Sequence, residues 1–546
     1  MTWWNLHLIS QHRAMRTWTE VPATIKSAEL KNSGKKKRSK RAVAIYEYQF
    51  GGRTYTGERV SLHSGADNIG RFQQEAYQEL KQHLDQQKPF RCFVNPEKPS
   101  SSVLYRNVRG EMLGFTTLFA TLFGSVGLGM LTGGLLAARY SPKVDPSRAS
   151  SDQPWLARDD WASGLIRPSM GTTVVTATMS VVTLYWCIAS APLVWMFPEI
   201  VRQDKLGEWK WLLLVFPAIG VLLVGLVIRQ LARSRKFGES VLQLASTPGV
   251  VGGQLAGVVR IPKLIMPADG FRLQLSCLML CKGRNNKEQE EVVWQDEQIV
   301  TAPMHDQLGD QTAIPVLFAI PFEARETAAA RTRWRLEASA RMPGVDYASQ
   351  FEVPVFRTEA SRADFRVDEN LAAQYSVPPS RDALLREVGL LKETLPSGGV
   401  QIVFPAARNW PSAVPITAIL LVLCGVYYVV GPKSMPWMLQ GVLGLFVLFL
   451  LWMALDLWFY RSVVTADANE LTSRGGLLGL GSTRSLPAGE VKEITTSDYM
   501  SSGTNVWKSI DVVSRGDEKW TIGRGINGKL AQQAVIDELR EALRLQ

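Results

Sequence analysis

The residue types best placed for chemistry lie near the C-terminus. Gly523-Arg524-Gly525-Ile526-Asn527-Gly528 matches G-x-G-x-x-G between a predicted strand and a predicted helix, and Gly523 to Lys529 satisfies most of a phosphate-binding loop. Such loops work because glycines let backbone N–H groups approach a phosphate at a helix N-terminus. Two features argue against a nucleotide here. The hydroxyl residue that would hold Mg²⁺ is replaced by Leu530, and a dinucleotide site needs a further strand and an acidic residue about 20 positions on, whereas the sequence stops at Gln546. The motif is read as a glycine-rich strand-to-helix turn.

Other chemistry is sparse. His7, His12, His63, His83 and His305 show no metal-type spacing. Cys277 and Cys281 share the face of a predicted strand but stand too far apart to bridge, and Cys187 and Cys424 fall in apolar runs, so no disulfide framework is expected. Asp456 is the one ionisable residue inside an apolar run, which raises a transport hypothesis. It lies within about one turn of the run's end and near Arg461, so it is read as reaching the membrane interface. No catalytic residue, cofactor site, metal ligand or small-molecule substrate is assigned, and the chain is read as not an enzyme.

The elements that would carry these residues come from a chain of 546 residues, 46% hydrophobic and 20% charged. That average conceals five apolar runs: 112–138, 171–197, 211–228, 413–430 and 436–458. About 20 residues at 1.5 Å rise cross a hydrocarbon layer of about 30 Å, so each run is read as a transmembrane helix. Trp195, Trp209, Trp211, Trp410, Trp437 and Trp458 sit near their ends, where amphipathic rings suit the headgroup layer. The expected fold class is a multi-domain integral membrane protein, with about five transmembrane helices and β-rich soluble domains.

Lysines and arginines near the runs set the expected orientation. The side holding 139–170, 229–412 and 461–546 receives thirteen within reach of a span, and the opposite side seven. This predicts a multi-pass protein of the bacterial inner membrane, with the N-terminal domain outside and the central and C-terminal domains cytoplasmic. The net charge of +11 then has a topological origin and does not call for nucleic acid.

Residues 1–111 read as a small β-rich domain. Tyr46, Tyr48 and Phe50 alternate with Glu47 and Gln49, Gly51-Gly52 forms a turn, and Tyr55 to Val60 resumes the strand pattern. A helix over 68–87 and a strand over 91–94 follow. The segment Thr2–Ile9 is apolar but too short to span. Val21-Pro22-Ala23-Thr24-Ile25, Tyr46-x-Tyr48, Gly52-x-x-Tyr55-x-Gly57-x-x-Val60 and Val94-Asn95-Pro96-x-x-Pro99, followed by a span, resemble the bacterial membrane family called domain of unknown function 3592. The resemblance covers about the first quarter of the chain and implies a membrane-tethered β domain without an assigned activity. It also implies a leading span, whose absence here suggests that a segment precedes residue 1. The densest charge run, Lys35, Lys36, Lys37, Arg38, Lys40 and Arg41, is read first as a solvated loop between strands and second as an anionic-lipid contact.

Residues 139–170, rich in Ser, Asp and Pro, read as an irregular connector whose Trp155 and Trp161 touch the interface. Residues 229–358 carry six β-type runs at 249–261, 271–281, 291–299, 314–320, 333–340 and 350–356, which predict an antiparallel sandwich. Ile314-Pro315-Val316 to Pro321, Trp334-Arg335-Leu336-Glu337-Ala338 and Phe351 to Phe356 resemble strand motifs of arrestin-like sandwiches, which implies a protein-binding module. A helical and extended linker over 359–412 includes a helix over 381–393 capped by Ser380 and a strand leading to the fourth span. Residues 461–546 read as six short strands closed by a helix from Lys529. That order resembles a pleckstrin-homology-like domain, which implies an adaptor or lipid-facing module. The expected function is a non-enzymatic envelope scaffold or sensor whose partners are the lipid bilayer and other membrane or cytoplasmic proteins. The alternative is a subunit of a transporter or channel.

Overall fold

The computed structural model describes the chain except for residues 1, 34–38, 64, 68, 151, 169–170, 204–212, 283–287, 302–303, 306–309, 329–330, 368–378, 397, 435–436, 503 and 546. It divides into two compact units, Met1–Arg139 with Thr173–Leu231, and Tyr140–Thr172 with Ala232–Gln546.

In the first unit, strands β1 (Thr19–Ser33), β2 (Ser39–Phe50), β3 (Arg53–Gly57), β4 (Phe90–Val94) and β5 (Ser102–Val103) form an antiparallel sheet in the order β3-β2-β1-β4-β5. The alternation read from the sequence buries Tyr46 and Tyr48 beneath helix α2 (Phe72–Asp85) in one core with Ile25, Leu80 and Phe90. Each buried aromatic of this kind contributes about 2–3 kcal/mol. Gly51 and Gly52 are both left-handed, as a tight hairpin turn between β2 and β3 requires. At Gly57 a Cβ would stand 2.4 Å from the Tyr46 ring, so only glycine lets the two strands close over it.

The apolar N-terminus is part of helix α1 (Thr2–Ala14), longer than its apolar stretch suggests. Leu8 and Ile9 pack with Leu113, Leu193, Met196 and Ile200, and Asn5 hydrogen-bonds Thr116 and Thr117 at 2.7 and 3.2 Å. Those partners lie on the long helices α3 (Gly110–Tyr140) and α4 (Thr172–Gln203), which precede α5 (Val215–Phe237). Small residues bring α3 and α4 together. A Cβ at Gly129 would meet Val182 at 3.3 Å, and the Tyr185 hydroxyl, filling the space beside Gly124, donates to the Ala120 carbonyl at 2.8 Å.

In the second unit, the predicted strands of the central domain become β6 (Leu165–Ile166), β7 (Val241–Leu244), β8 (Gly249–Val250), β9 (Gly253–Ile261), β10 (Phe271–Lys282), β11 (Glu288–Val300), β12 (Met304–His305), β13 (Thr312–Ile320), β14 (Thr332–Ala340), β15 (Tyr347–Val353) and β16 (Val355–Phe356). They form sheets β11-β10-β14-β15 and β12-β13-β9-β7-β6, with β16 and β8 as a parallel pair. Leu255, Val259 and Phe318 from one sheet and Phe271, Trp334 and Phe351 from the other share a single core.

The connector 139–170 belongs to this domain, not to a membrane surface. Trp155 and Trp161 are buried against Phe356, the Trp161 indole N–H donates to the Glu352 carbonyl at 3.1 Å, and β6 extends the sheet beside β7. An indole gains from a site with one apolar side and one polar acceptor, and an edge strand supplies both as well as an interface does.

The C-terminal module also begins earlier than the last span. Helix α6 (Arg381–Glu387) is capped by Ser380, whose hydroxyl accepts from the Ala383 N–H, but it stops well before residue 393 because Gly389 turns left-handed. Residues 391–394 become β17, which pairs with β18 (Val400–Phe404). These join β19 (Tyr460–Ala466), β20 (Glu470–Leu477) and β21 (Thr483–Pro487) in the order β17-β18-β19-β20-β21. A second sheet, β22 (Val491–Ser502), β23 (Asn505–Ser514) and β24 (Lys519–Asn527), and helix α9 (Lys529–Ala542) close the core. Helices α7 (Trp410–Ser434) and α8 (Trp437–Phe459) therefore interrupt a β-hairpin, since β18 and β19 are antiparallel neighbours with Phe404 opposite Ser462.

Four helices are long and apolar enough to cross a membrane: α3, Thr173–Arg202 of α4, α5, and Gln440–Phe459 of α8. The fifth expected span corresponds to α7, whose described apolar part is the shorter Ser412–Gly425.

At the entry to α3, Arg109 holds Asp67 through two hydrogen bonds of 2.7 and 3.0 Å, with both side chains nearly buried. Burial works to raise the Asp67 carboxyl, but Arg109 and Gln73 outweigh it and hold it below the ordinary value of 3.8. The stability this residue contributes is complete above 3.8 and is lost as pH falls through its lower folded value. Arg109→Leu should cost about 3–5 kcal/mol by leaving a buried carboxylate unpaired. Chemical unfolding of the detergent-solubilised protein, followed by protection of the 19–109 segment, measures it. A change below about 1 kcal/mol contradicts the assignment.

Candidate functional site

The glycine motif read from the sequence is not a loop. Residues 523–527 lie inside β24, and Gly528 stands at the N-terminus of α9. Its glycines have separate structural reasons. A Cβ at Gly523 would overlap the Phe404 ring at 2.2 Å, Gly525 has φ +68, and Gly528 has φ +88 with Arg272 and Glu297 within 3.3 Å of a Cβ position.

The helix N-terminus where a phosphate would bind is already occupied by the chain's own carboxylate. Glu297, on β11, accepts the Leu530 N–H at 3.2 Å and pairs with Arg272 from β10. Arg272 also binds Glu387 at the end of α6, which in turn pairs with Arg341 at 3.5 Å. Lys529 reaches Asp296 at 3.0 Å, and the Thr504 hydroxyl donates to Glu337. Gln274 and Gln295 both donate to the Thr504 carbonyl, at 3.3 and 3.2 Å. Burial pushes the Glu297 carboxyl up, while Arg272 and the first N–H groups of α9 pull it down; the net direction is upward.

These contacts dock the C-terminal module on the outer face of sheet β11-β10-β14-β15, where Ile299, Leu384 and Ala534 form a small apolar cluster beside the charges. Next to it lies a cleft of about 360 Å³. Asp269, Glu337, Asp346 and Glu387 line it against Arg272 and Arg341, so its wall is net acidic. The cleft suits a cationic segment.

A second, smaller recess sits where α7 begins and α8 ends. Phe404, Arg408, Asn409, Asp456, Tyr460, Tyr499 and Arg524 line it. Asp456 is thus gathered with two arginines, Arg408 and Arg524, rather than with Arg461, and among the described residues no cation stands within 4.0 Å of its carboxylate. Burial pushes the Arg408 guanidinium down to about 10. Its hydrogen bonds go to the carbonyls of Val388, at 3.4 Å, and Arg524.

The other residues singled out from sequence stay dispersed. Lys35, Lys36, Lys37 and Arg38 lie outside the described residues. Lys40 and Arg41 are consecutive on β2 and so point to opposite faces of the sheet, with the Lys40 backbone bridging Asp67. Among the described residues no three His, Cys, Asp or Glu side chains converge as metal ligands, and all five cysteines are free thiols. Glu297 and Arg272, on the outer face of a sheet, and Glu387, at the end of a short helix, escaped the sequence reading because polar side chains at such positions ordinarily signal water. The one hint is Glu297 sharing a strand face with Val293 and Ile299.

Residues 21–109 match the family described as a domain of unknown function, DUF3592, which agrees with the resemblance read from the tyrosine, glycine and proline motifs of that segment. No curated protein matches the chain. Among solved structures, the sporulation control protein Spo0M from Bacillus subtilis aligns at 12% identity over 46% of this chain and 90% of its own, with a TM-score of 0.19, a likeness too slight to carry an inference. The arrestin-like and pleckstrin-homology-like resemblances are not confirmed.

Removing the Glu297 carboxylate leaves Arg272 half-paired and the α9 N-terminus uncapped. Glu297→Ala should loosen the module by about 3 kcal/mol, and Glu297→Gln by less, because an amide oxygen still accepts from Leu530. Amide exchange over 529–542 reads the effect directly. Unchanged protection in Glu297→Ala would show that the cap is not needed.

Proposed function

We propose that the chain is a multi-pass inner-membrane scaffold or sensor that binds protein partners through its cytoplasmic β domains, with the N-terminal domain on the outer side. The observation that supports this most is the way the second unit is assembled. It gathers Tyr140–Thr172 and Ala232–Gln546 into one body, with α4 and most of α5 between the two stretches and α7 and α8 within the second. Helical hairpins separate these pieces, so each hairpin must leave and return to the same aqueous side. The connector, the sandwich-like central domain and the C-terminal module are then co-facial, and the excess of Lys and Arg beside them supports a cytoplasmic side.

The net-acidic cleft beside the Glu297 junction supplies the partner surface, and its chemistry favours a basic peptide segment. A transporter is the weaker reading. It needs a polar path through the spans, and Asp456, the residue that motivated it, lines a recess with residues of the C-terminal module.

Two experiments test the proposal. A cytoplasmic reporter fused after Gln546 should be active and a periplasmic reporter at the same point silent; the reverse pattern overturns the topology. Full-length protein captured in detergent should bring down a reproducible protein partner, and Asp269→Lys with Asp346→Lys should reduce that capture about tenfold or more by reversing the charge of the cleft. Absence of any partner, together with solute flux in vesicles that Asp456→Ala abolishes, would favour the transporter.

A further inference from the structure

Three exposed leucines stand beside the end of a long apolar helix. Leu477, Leu478 and Leu480, on the turn from β20 to β21, are 47%, 60% and 78% exposed. The turn is held at the span's end: the Leu478 N–H donates to the Phe459 carbonyl at 2.8 Å, and Leu477 is the strand partner of Tyr460. Phe459 ends α8 and Trp410 begins α7, and both are also exposed, so the apolar patch is continuous with the surface that the spans already present to lipid.

Behind this turn lies the Arg408 recess. Tyr460 forms part of its wall and carries the Arg524 guanidinium 4.9 Å above its ring. Among the described residues neither Arg408 nor Arg524 has a carboxylate within 4.0 Å. Two guanidiniums and the Asp456 carboxylate leave the recess with one net positive charge, which matches the single negative charge of a phosphodiester better than the two of a phosphate monoester. The recess has room for only about 20 Å³, the size of one oxygen-bearing group, so a ligand enters by a phosphoryl oxygen and is not engulfed.

We propose that this end of the C-terminal module is a phospholipid site: Leu477, Leu478 and Leu480 enter the edge of the hydrocarbon layer, and Arg408 and Arg524 take the phosphodiester of a headgroup. The proposal rests on α7 and α8 crossing the membrane and is independent of any protein partner. Arginine suits the task because its planar fork donates two hydrogen bonds to one phosphate, and the half-buried Arg408 gains the counter-charge it lacks.

Two measurements on the full chain test it. In lipid nanodiscs, with the five native cysteines replaced, a nitroxide at Leu480→Cys should collide with dissolved oxygen more than with a water-soluble nickel chelate. The same label at the exposed Lys492→Cys should show the opposite order. A Leu480 label as aqueous as that at Lys492 overturns the insertion. By native mass spectrometry, phosphatidylglycerol should be retained over diacylglycerol by about tenfold or more, and Arg408→Gln with Arg524→Gln should bring the two toward parity. Arg408→Lys with Arg524→Lys keeps the charge without the fork and should fall between, which decides the matter if the glutamine variant does not fold. Equal retention of the two lipids by the unmodified chain, or an unchanged ratio in a folded variant, overturns the phosphate site. Displacement of the lipid by inorganic phosphate would assign the recess to a free anion and overturn the lipid.

Discussion

No water reaches the hydrocarbon layer of a membrane, so a chain crosses it only with its backbone hydrogen bonds closed on themselves, as whole helices. Four helices of this protein are long and apolar enough to meet that constraint. The second unit joins two stretches, Tyr140–Thr172 and Ala232–Gln546, and the helices α4 and α5 between them leave it and return to it. The α7–α8 hairpin shows this at its smallest scale, because it opens out of one β-hairpin whose strands β18 and β19 remain paired in register from Phe404 opposite Ser462 to Val400 opposite Ala466. Two neighbouring interior strands of the sheet and a pair of apolar helices are thereby one covalent joint.

Within the aqueous body, the junction between the central domain and the C-terminal module is polar at its centre. Glu297 is almost fully buried, and burial of a carboxylate is costly unless cations and N–H groups surround it. Arg272 and the N-terminus of α9 supply them. A charge set this way contributes little net stability over an apolar contact but discriminates strongly among docking geometries, because any other placement leaves a charge unpaired. The apolar cluster of Ile299, Leu384 and Ala534 supplies attraction, and the charges supply register. In the same arrangement the anion at the N-terminus of α9 is a carboxylate from the neighbouring domain.

Much was legible in the sequence because it depends on local periodicity. Four of the five long apolar helices followed from run length, the strands of the central domain from alternation, and the N-terminal family match from its spaced tyrosines, glycines and prolines. The Ser380 cap also formed where its residue type and position indicated. The departures share one cause, that a residue's local preference is satisfied by more than one environment. Trp155 and Trp161 needed an apolar face with a nearby acceptor, which a membrane interface offers, but strand β15 and Phe356 offer it too. Residues 391–404 had the pattern of a helix tail and a lone strand until β19, more than fifty residues away, supplied the pairing partner.

The sequence by itself thus determined which segments are long and apolar enough to cross a membrane and which are strands, because run length and pleat are written in neighbouring residues. Only the tertiary structure decided what the polar residues are for. Glu297 became a helix cap, Arg408, Arg524 and Asp456 were gathered into one recess, and the exposed leucines of residues 477–480 were set beside the end of a span. Those roles depend on partners tens to hundreds of residues distant, and no local pattern encodes where a folded chain will bring them.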